Sequence, residues 1–257
     1  MQLRRLIHRL FEQCGYTFMR TGVFELRPKR ILPDSLDALG MAIDLAFPPP
    51  DKPLVLQVGA FDGVTNDPVF KHLTRRRLPA ILVEPVPESV QRLRRTYAGV
   101  ADVHIVQAAI AECDSECVMY RVREDAVFLQ LAERGVWPLQ LASFNREHLL
   151  KHCVREQDIE EIRVRGLTIT TLLAECAIEH VDVLQVDAEG MDDHIVTMGL
   201  ELKHPPDIIH FEHGHLPRER YHRLLVRLGE AGYQWMTRDG DTLAMMLSMT
   251  KHSGRRE

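Results

Sequence analysis

At four places in this 257-residue chain, polar groups able to hold a ligand or move a proton directly follow an apolar run. Gly59 and Gly63 frame Gly59-Ala60-Phe61-Asp62-Gly63, and glycines there let the backbone approach a bound molecule closely. Glu84 closes the next run, 25 residues after Gly59. At that spacing in doubly wound sheets an acidic residue accepts hydrogen bonds from both hydroxyls of a ribose. Asp187 and Glu189 follow a further run, and Glu212, His213 and His215 follow the last. An imidazole titrates near neutrality, so His213 is the expected general base for a hydroxyl, with Glu212 orienting it or holding the second reactant. Two alternatives stay open. Asp187 and Glu189 could be the N-cap and first-turn carboxylates of the helix through His194 and Met198, and His213 and His215 could be plain loop histidines. Asp187, Glu189, Glu212, His213 and His215 also have the chemistry to ligate a divalent ion, but no recognised ligand spacing supports one and no metal is expected.

These residues need a scaffold that brings the ends of the runs together. The runs span 54–59, 80–84, 103–108, 181–187 and 207–212, and helix-length segments separate them. Continuous apolar stretches of this length suit strands buried on both faces, and their alternation with helices predicts a mostly parallel, doubly wound α/β sheet. In such a sheet ligands bind where the carboxyl ends of the strands emerge. Asp67 reads as an N-cap and Pro68 as the first residue of the following helix. The glycines are ordered Gly-x-x-x-Gly rather than Gly-x-Gly-x-x-Gly, and a longer loop precedes the helix. Both features weigh against a pyrophosphate on the helix N-terminus, and so against a nicotinamide-dependent oxidoreductase.

Around this core the domain is expected over 51–250, after a helical extension at 1–50 and before a tail at 251–257. Within it, 112–171 reads as an insertion forming a lid or substrate wall, with a strand at 117–122 and helix near 145–153. Segments 232–235 and 243–248, joined by a turn at 238–241, predict a C-terminal antiparallel hairpin. The extension has an amphipathic helix in Leu3, Leu6, Ile7, Leu10, Phe11 and Cys14, a second helix at 35–46, and then Pro48, Pro49, Pro50 and Pro53 as a stiff linker. The Arg75-Arg76-Arg77 run reads as a solvated helix end.

Bulk properties narrow the function. A net charge of -5 gives no basic field for a phosphate backbone, so nucleic acid is not an expected partner. Only the first 30 residues are basic, which leaves peripheral membrane contact or an oligomer interface as secondary readings for that helix. Five scattered cysteines suggest ordinary thiols, and no apolar run is long enough to span a bilayer. A cytoplasmic location is expected. The oligomeric state is left open.

Several blocks, in order from about residue 54 to 247, resemble one family. They are Val55-Leu56-Gln57-Val58-Gly59-Ala60-Phe61-Asp62-Gly63 with Asn66-Asp67-Pro68, then Val83-Glu84-Pro85, and then Ser143-Phe144-Asn145-Arg146-Glu147-His148-Leu149. Val186-Asp187-Ala188-Glu189-Gly190, Phe211-Glu212-His213, Gly232-Tyr233 and Asp241-Thr242-Leu243-Ala244 complete the set. Together they resemble the FkbM methyltransferases. The resemblance implies a Rossmann-like class I methyltransferase sheet, S-adenosylmethionine as cofactor, and O-methylation of a small-molecule acceptor such as a sugar or secondary metabolite. The cofactor contacts then expected are Gln57, Gly59, Asp62, Asn66, Glu84, Ala108, Ser143 and Glu189, with Asp187, Glu212 and His213 catalytic. A non-catalytic nucleoside-binding protein remains the rival reading, disfavoured because the polar groups near the reacting end are all present.

Overall fold

The tetrapeptide Val-Leu-Gln-Val occurs twice, and the two copies lie side by side as the central strands of a sheet. These are β1 (Val55–Val58) and β8 (Val183–Val186), paired in parallel with Gln57 opposite Gln185. The computed structural model describes residues 37–123, 126, 140–238 and 240–246. Outward from β1 run β2 (Ala80–Val83) and β3 (Val103–Val106), both parallel to it. Outward from β8 lie β9 (Ile208–Glu212), then β11 (Asp241–Met246), then β10 (Tyr233–Arg238) at the edge. β11 is antiparallel to both neighbours, so the hairpin inserts its second strand between β9 and its first. Arg238 pairs with Asp241 at the end of the hairpin. The expected mostly parallel sheet with an antiparallel C-terminal hairpin is present.

Each central strand is buried along its whole length because helices cover both faces. On one face Leu56, Val58, Leu184, Val186, Ile209 and Phe211 pack against Leu172 of α5 (Ile169–Glu175), Ile195 and Val196 of α6 (Asp192–Leu200), and Leu224 and Leu228 of α7 (Arg218–Glu230). On the other, Val55, Leu82, Val183 and Ile208 pack against Ile43 of α1 (Ala38–Ala46), Leu73 of α2 (Phe70–Arg75) and Leu93 of α3 (Pro87–Thr96). Each fully buried aliphatic side chain contributes about 1.5–3 kcal/mol, so this double layer fixes the carboxyl edge of the sheet. No helix among the described residues is long and apolar enough to cross a membrane.

Local expectations need three adjustments. The helix after the glycine loop starts at Phe70 rather than Pro68, yet Asp67 Oδ1 does accept from the backbone N–H groups of Val69 and Phe70 at 2.7 and 2.9 Å. Arg76 is not simply solvated: it donates to Asp44 Oδ1 and to the carbonyls of Phe47 and Asp51, tying the proline linker to α2. The third strand ends at Val106, after which the chain leaves the main sheet. Ala109–Ile110 forms β4 of a second sheet, ordered β4-β7-β5-β6. Its other strands are β5 (Ser115–Val122), β6 (Ala142–Ser143) and β7 (Ile159–Leu167), and α4 (Arg146–Lys151) lies between β6 and β7. The amphipathic helix expected at 3–14, most of the 124–139 segment and the tail at 251–257 lie outside the described residues.

Gly59 sits where β1 ends, at φ +81°, and a Cβ there would come within 1.8 Å of the Asp187 carbonyl oxygen. Left-handed strain and overpacking together cost roughly 2–6 kcal/mol. Gly59→Ala is therefore expected to lower Tm by about 5 °C or more in a thermal melt. A variant melting with the parent would contradict this account of the β1–β8 junction.

Candidate active site

The carboxyl ends of β1 and β8 part where the connections turn in opposite directions, and a cleft of about 340 Å³ opens there, a size suited to a small ligand. Gln57, Gly59, Asn66, Glu84 and Ala108 line it, as do Asp187, Glu189 and Glu212 on the β8–β9 side. The structure thus gathers most of the residues singled out by type and spacing.

Glu84 follows β2 and is 5% exposed. Its Oε2 accepts from Phe61 N–H and its Oε1 from Val86 N–H, both at 2.9 Å, so each oxygen keeps a lone pair for the cleft. Burial pushes its carboxyl up to about 7. Gly59 and Glu84 are held together because Gly59 N–H donates to the Val83 carbonyl at 3.0 Å.

On the floor, Gln57, Gln185 and His210 stand in register across β1, β8 and β9. Gln57 Oε1, Gln185 Oε1 and His210 Nδ1 are buried without a partner among the described residues. Burial lowers His210 to about 4, which keeps it neutral. Buried polar atoms left unpaired cost about 1–3 kcal/mol each, so this row favours a polar occupant above it.

Asp187 reaches into the cleft at the end of β8. Crowding by protein, and then the nearby carboxylates of Glu189, Glu212, Asp192 and Asp241, hold its carboxyl well above the usual range. Neither Asp187 nor Glu189 caps α6. The turn before that helix is held by Asp192, which accepts from Ala188 and Gly190 N–H at 3.1 Å each. Glu189, at φ 49°, instead aims Oε2 at His148 Nε2, 2.7 Å away. His215 Nε2 is 3.3 Å from Glu212 Oε1, and that hydrogen bond raises His215 to about 9.

Three expected site residues are not in this cleft. His213 stacks on Tyr221, with ring centroids 4.3 Å apart, and its Nδ1 pairs with buried Thr242 Oγ1 at 3.0 Å. It does not line the cleft, whose histidines are His210 on the floor and His215 beside Glu212. Asp62 spends its carboxylate on Val64 N–H, Thr65 N–H and Thr65 Oγ1, shaping the glycine loop. Ser143 Oγ donates to the Glu189 carbonyl at 2.9 Å and accepts from Asn145 N–H, so it ties the second sheet to the β8–α6 turn.

The second sheet supplies groups that the apolar-run pattern missed. Met119, Ala142 and Phe144 wall one side of the cleft, and His148 and His152 cluster with Glu189 and His215, two of the residues that line it. The signal for the pair was present in the sequence as two histidines four residues apart, one turn of helix.

A family model described as a methyltransferase FkbM domain matches residues 57–235. No curated protein matches the chain in sequence. Among solved structures, a methyltransferase FkbM from Methylobacillus flagellatus KT is similar at 13% identity and a TM-score of 0.45, covering 76% of this chain and 43% of that one. The N-terminal domain of human METTL16 in complex with SAH is similar at 11% identity and 0.41, covering 95% and 80%. A precorrin-6y C5,15-methyltransferase from Geobacter metallireducens GS-15 follows at 10% and 0.41, covering 84% and 89%. The chain spans less than half the length of the Methylobacillus protein.

Proposed function

The chain belongs to the FkbM methyltransferase family, whose methyl donor is S-adenosylmethionine, and from this premise we propose that it transfers that methyl group to a hydroxyl oxygen of a small-molecule acceptor. The observation that carries the reading is a division of labour along one cleft. Glu84 lies at one side with two free lone pairs, and Asp187 and Glu212 face it from the ends of β8 and β9.

The residues fit the donor. Glu84 would accept both ribose hydroxyls, the Gly59 loop would lie against the nucleoside, and the unpaired Gln57 and Gln185 oxygens would accept from a polar group above the floor. Bound, S-adenosylmethionine supplies an electrophilic methyl group on a sulfonium. Phe144 and Met119 give the cleft an apolar wall, and charge interactions beside a wall of low polarity are stronger than in open water. Glu212 is placed to take the acceptor's proton, since Asp187 and Glu212 stand side by side where β8 and β9 end.

An acceptor panel tests the proposal. Purified protein with methyl-labelled donor is offered sugars, hydroxylated secondary metabolites, peptides and RNA, and products are read by mass spectrometry. Label is expected on hydroxyl oxygens of small molecules, with one S-adenosylhomocysteine formed per transfer. Labelling confined to RNA or to peptide nitrogen would contradict it.

A further inference from the structure

Three imidazoles and a carboxylate from three separate parts of the chain converge at the rim of the cleft. We infer that His148, His152, His215 and Glu189 bind a first-row transition dication of the zinc or iron class. One donor atom from each lies within 4.8 Å of the other three. His148 is in the last turn of α4 and His152 caps its C-terminus, so both project from one helix face. Ring centroids are 4.7 Å apart for His148 and His152, 4.8 Å for His148 and His215, and 5.0 Å for His152 and His215. Glu189 Oε2 lies 2.7 Å from His148 Nε2 and 3.8 Å from His215 Nε2.

Donors around such an ion sit about 2.0–2.2 Å from it, so closing the site takes shifts of about an ångström, within reach of side-chain rotation. Three nitrogen donors with one carboxylate select zinc, iron, cobalt or nickel over magnesium and calcium, which take oxygen ligands. The carboxylate is held for the purpose. Glu189 adopts a left-handed backbone, its carbonyl is fixed by Ser143 Oγ, and Gly190 follows at φ 99°.

Glu189 and His215 line both the main cleft and an adjoining cavity of about 180 Å³ that also touches Lys151 and Arg220. A cation there stands where the two spaces meet, and four protein donors leave two positions of an octahedral ion for an acceptor oxygen or water. That anchoring role rests on the methyl-transfer reading; the binding itself does not.

The test uses the full chain, stripped with a chelator and titrated with cobalt(II), followed by visible absorption, and with zinc(II) by calorimetry. One equivalent is expected to bind. His148→Ala and His152→Ala should each weaken binding by about a hundredfold or more, since losing outer-shell support alone costs 10–100-fold. Exposed His222→Ala should leave it unchanged. S-adenosylmethionine affinity and Tm, measured on the same samples, report folding and the donor site separately. Absence of saturable metal binding by the parent, or undiminished binding by both histidine variants, overturns the metal site. If donor binding persists in that case, the proposed function stands without it.

Discussion

Glu84→Ala is expected to weaken S-adenosylmethionine binding by about a hundredfold or more, measured by calorimetry. Two hydrogen bonds to a charged acceptor contribute about 1.5–3 kcal/mol each, and about 1.4 kcal/mol is a factor of ten. The substitution also strips Phe61 and Val86 N–H of their acceptor, loosening the glycine loop against which the nucleoside would lie. Glu84→Gln keeps the size but turns an amide donor toward one of those N–H groups, so it is expected to fail as well. The buried carboxyl titrates at about 7 and the ribose hydroxyls need its ionised form. Donor affinity should therefore fall as pH drops below about 7, by up to tenfold per unit, and level off above it. Stability of the donor-free protein should move the other way. The folded state holds the Glu84 proton up to about pH 7 while the unfolded chain loses it near 4.5, so Glu84's contribution declines as pH rises through that window. Donor affinity independent of both pH and Glu84 would show that the ribose lies elsewhere.

Glu212→Gln is expected to lower kcat by roughly 10²–10⁴ while changing donor affinity less than tenfold, because a positioned proton acceptor contributes about that much to turnover. His213→Ala is the informative partner. The sequence points to His213 as the base, but its ring is stacked on Tyr221 and bonded to Thr242, away from the cleft. It should cost less than tenfold in kcat. Steady-state kinetics on both variants decides between the two residues, and a His213→Ala defect equal to that of Glu212→Gln would return the role to the histidine.

The contrast between these two neighbours shows what the sequence carries. Residues at strand ends were legible because burial on both faces writes a continuous apolar run, and the run's last residue must emerge at the carboxyl edge; Glu84 and Asp187 are both found that way. Which side a side chain takes beyond the strand depends on the turn. There the backbone N–H groups of His213 and Gly214 are both held by the Gly240 carbonyl of the hairpin, a contact between distant segments with no local signature. Strand β7 was missed for a different reason. Ile162 and Val164 alternate with Glu161, Arg163 and Arg165, the period-two pattern of a half-exposed strand, which writes no continuous apolar run. The histidine cluster needed the second sheet to fold back on the β8–α6 turn, through Ser143 and Glu189, before His148 and His152 met His215. Spacing within any one segment records only the first pair.

The central claim is that this cleft holds S-adenosylmethionine, and a calorimetric titration of the purified protein tests it most directly, with S-adenosylmethionine and S-adenosylhomocysteine as ligands and NAD as control. The account predicts saturable micromolar binding of the first two at one site per chain and none of NAD. Silence from both sulfur nucleosides, or equal binding of NAD, would contradict it.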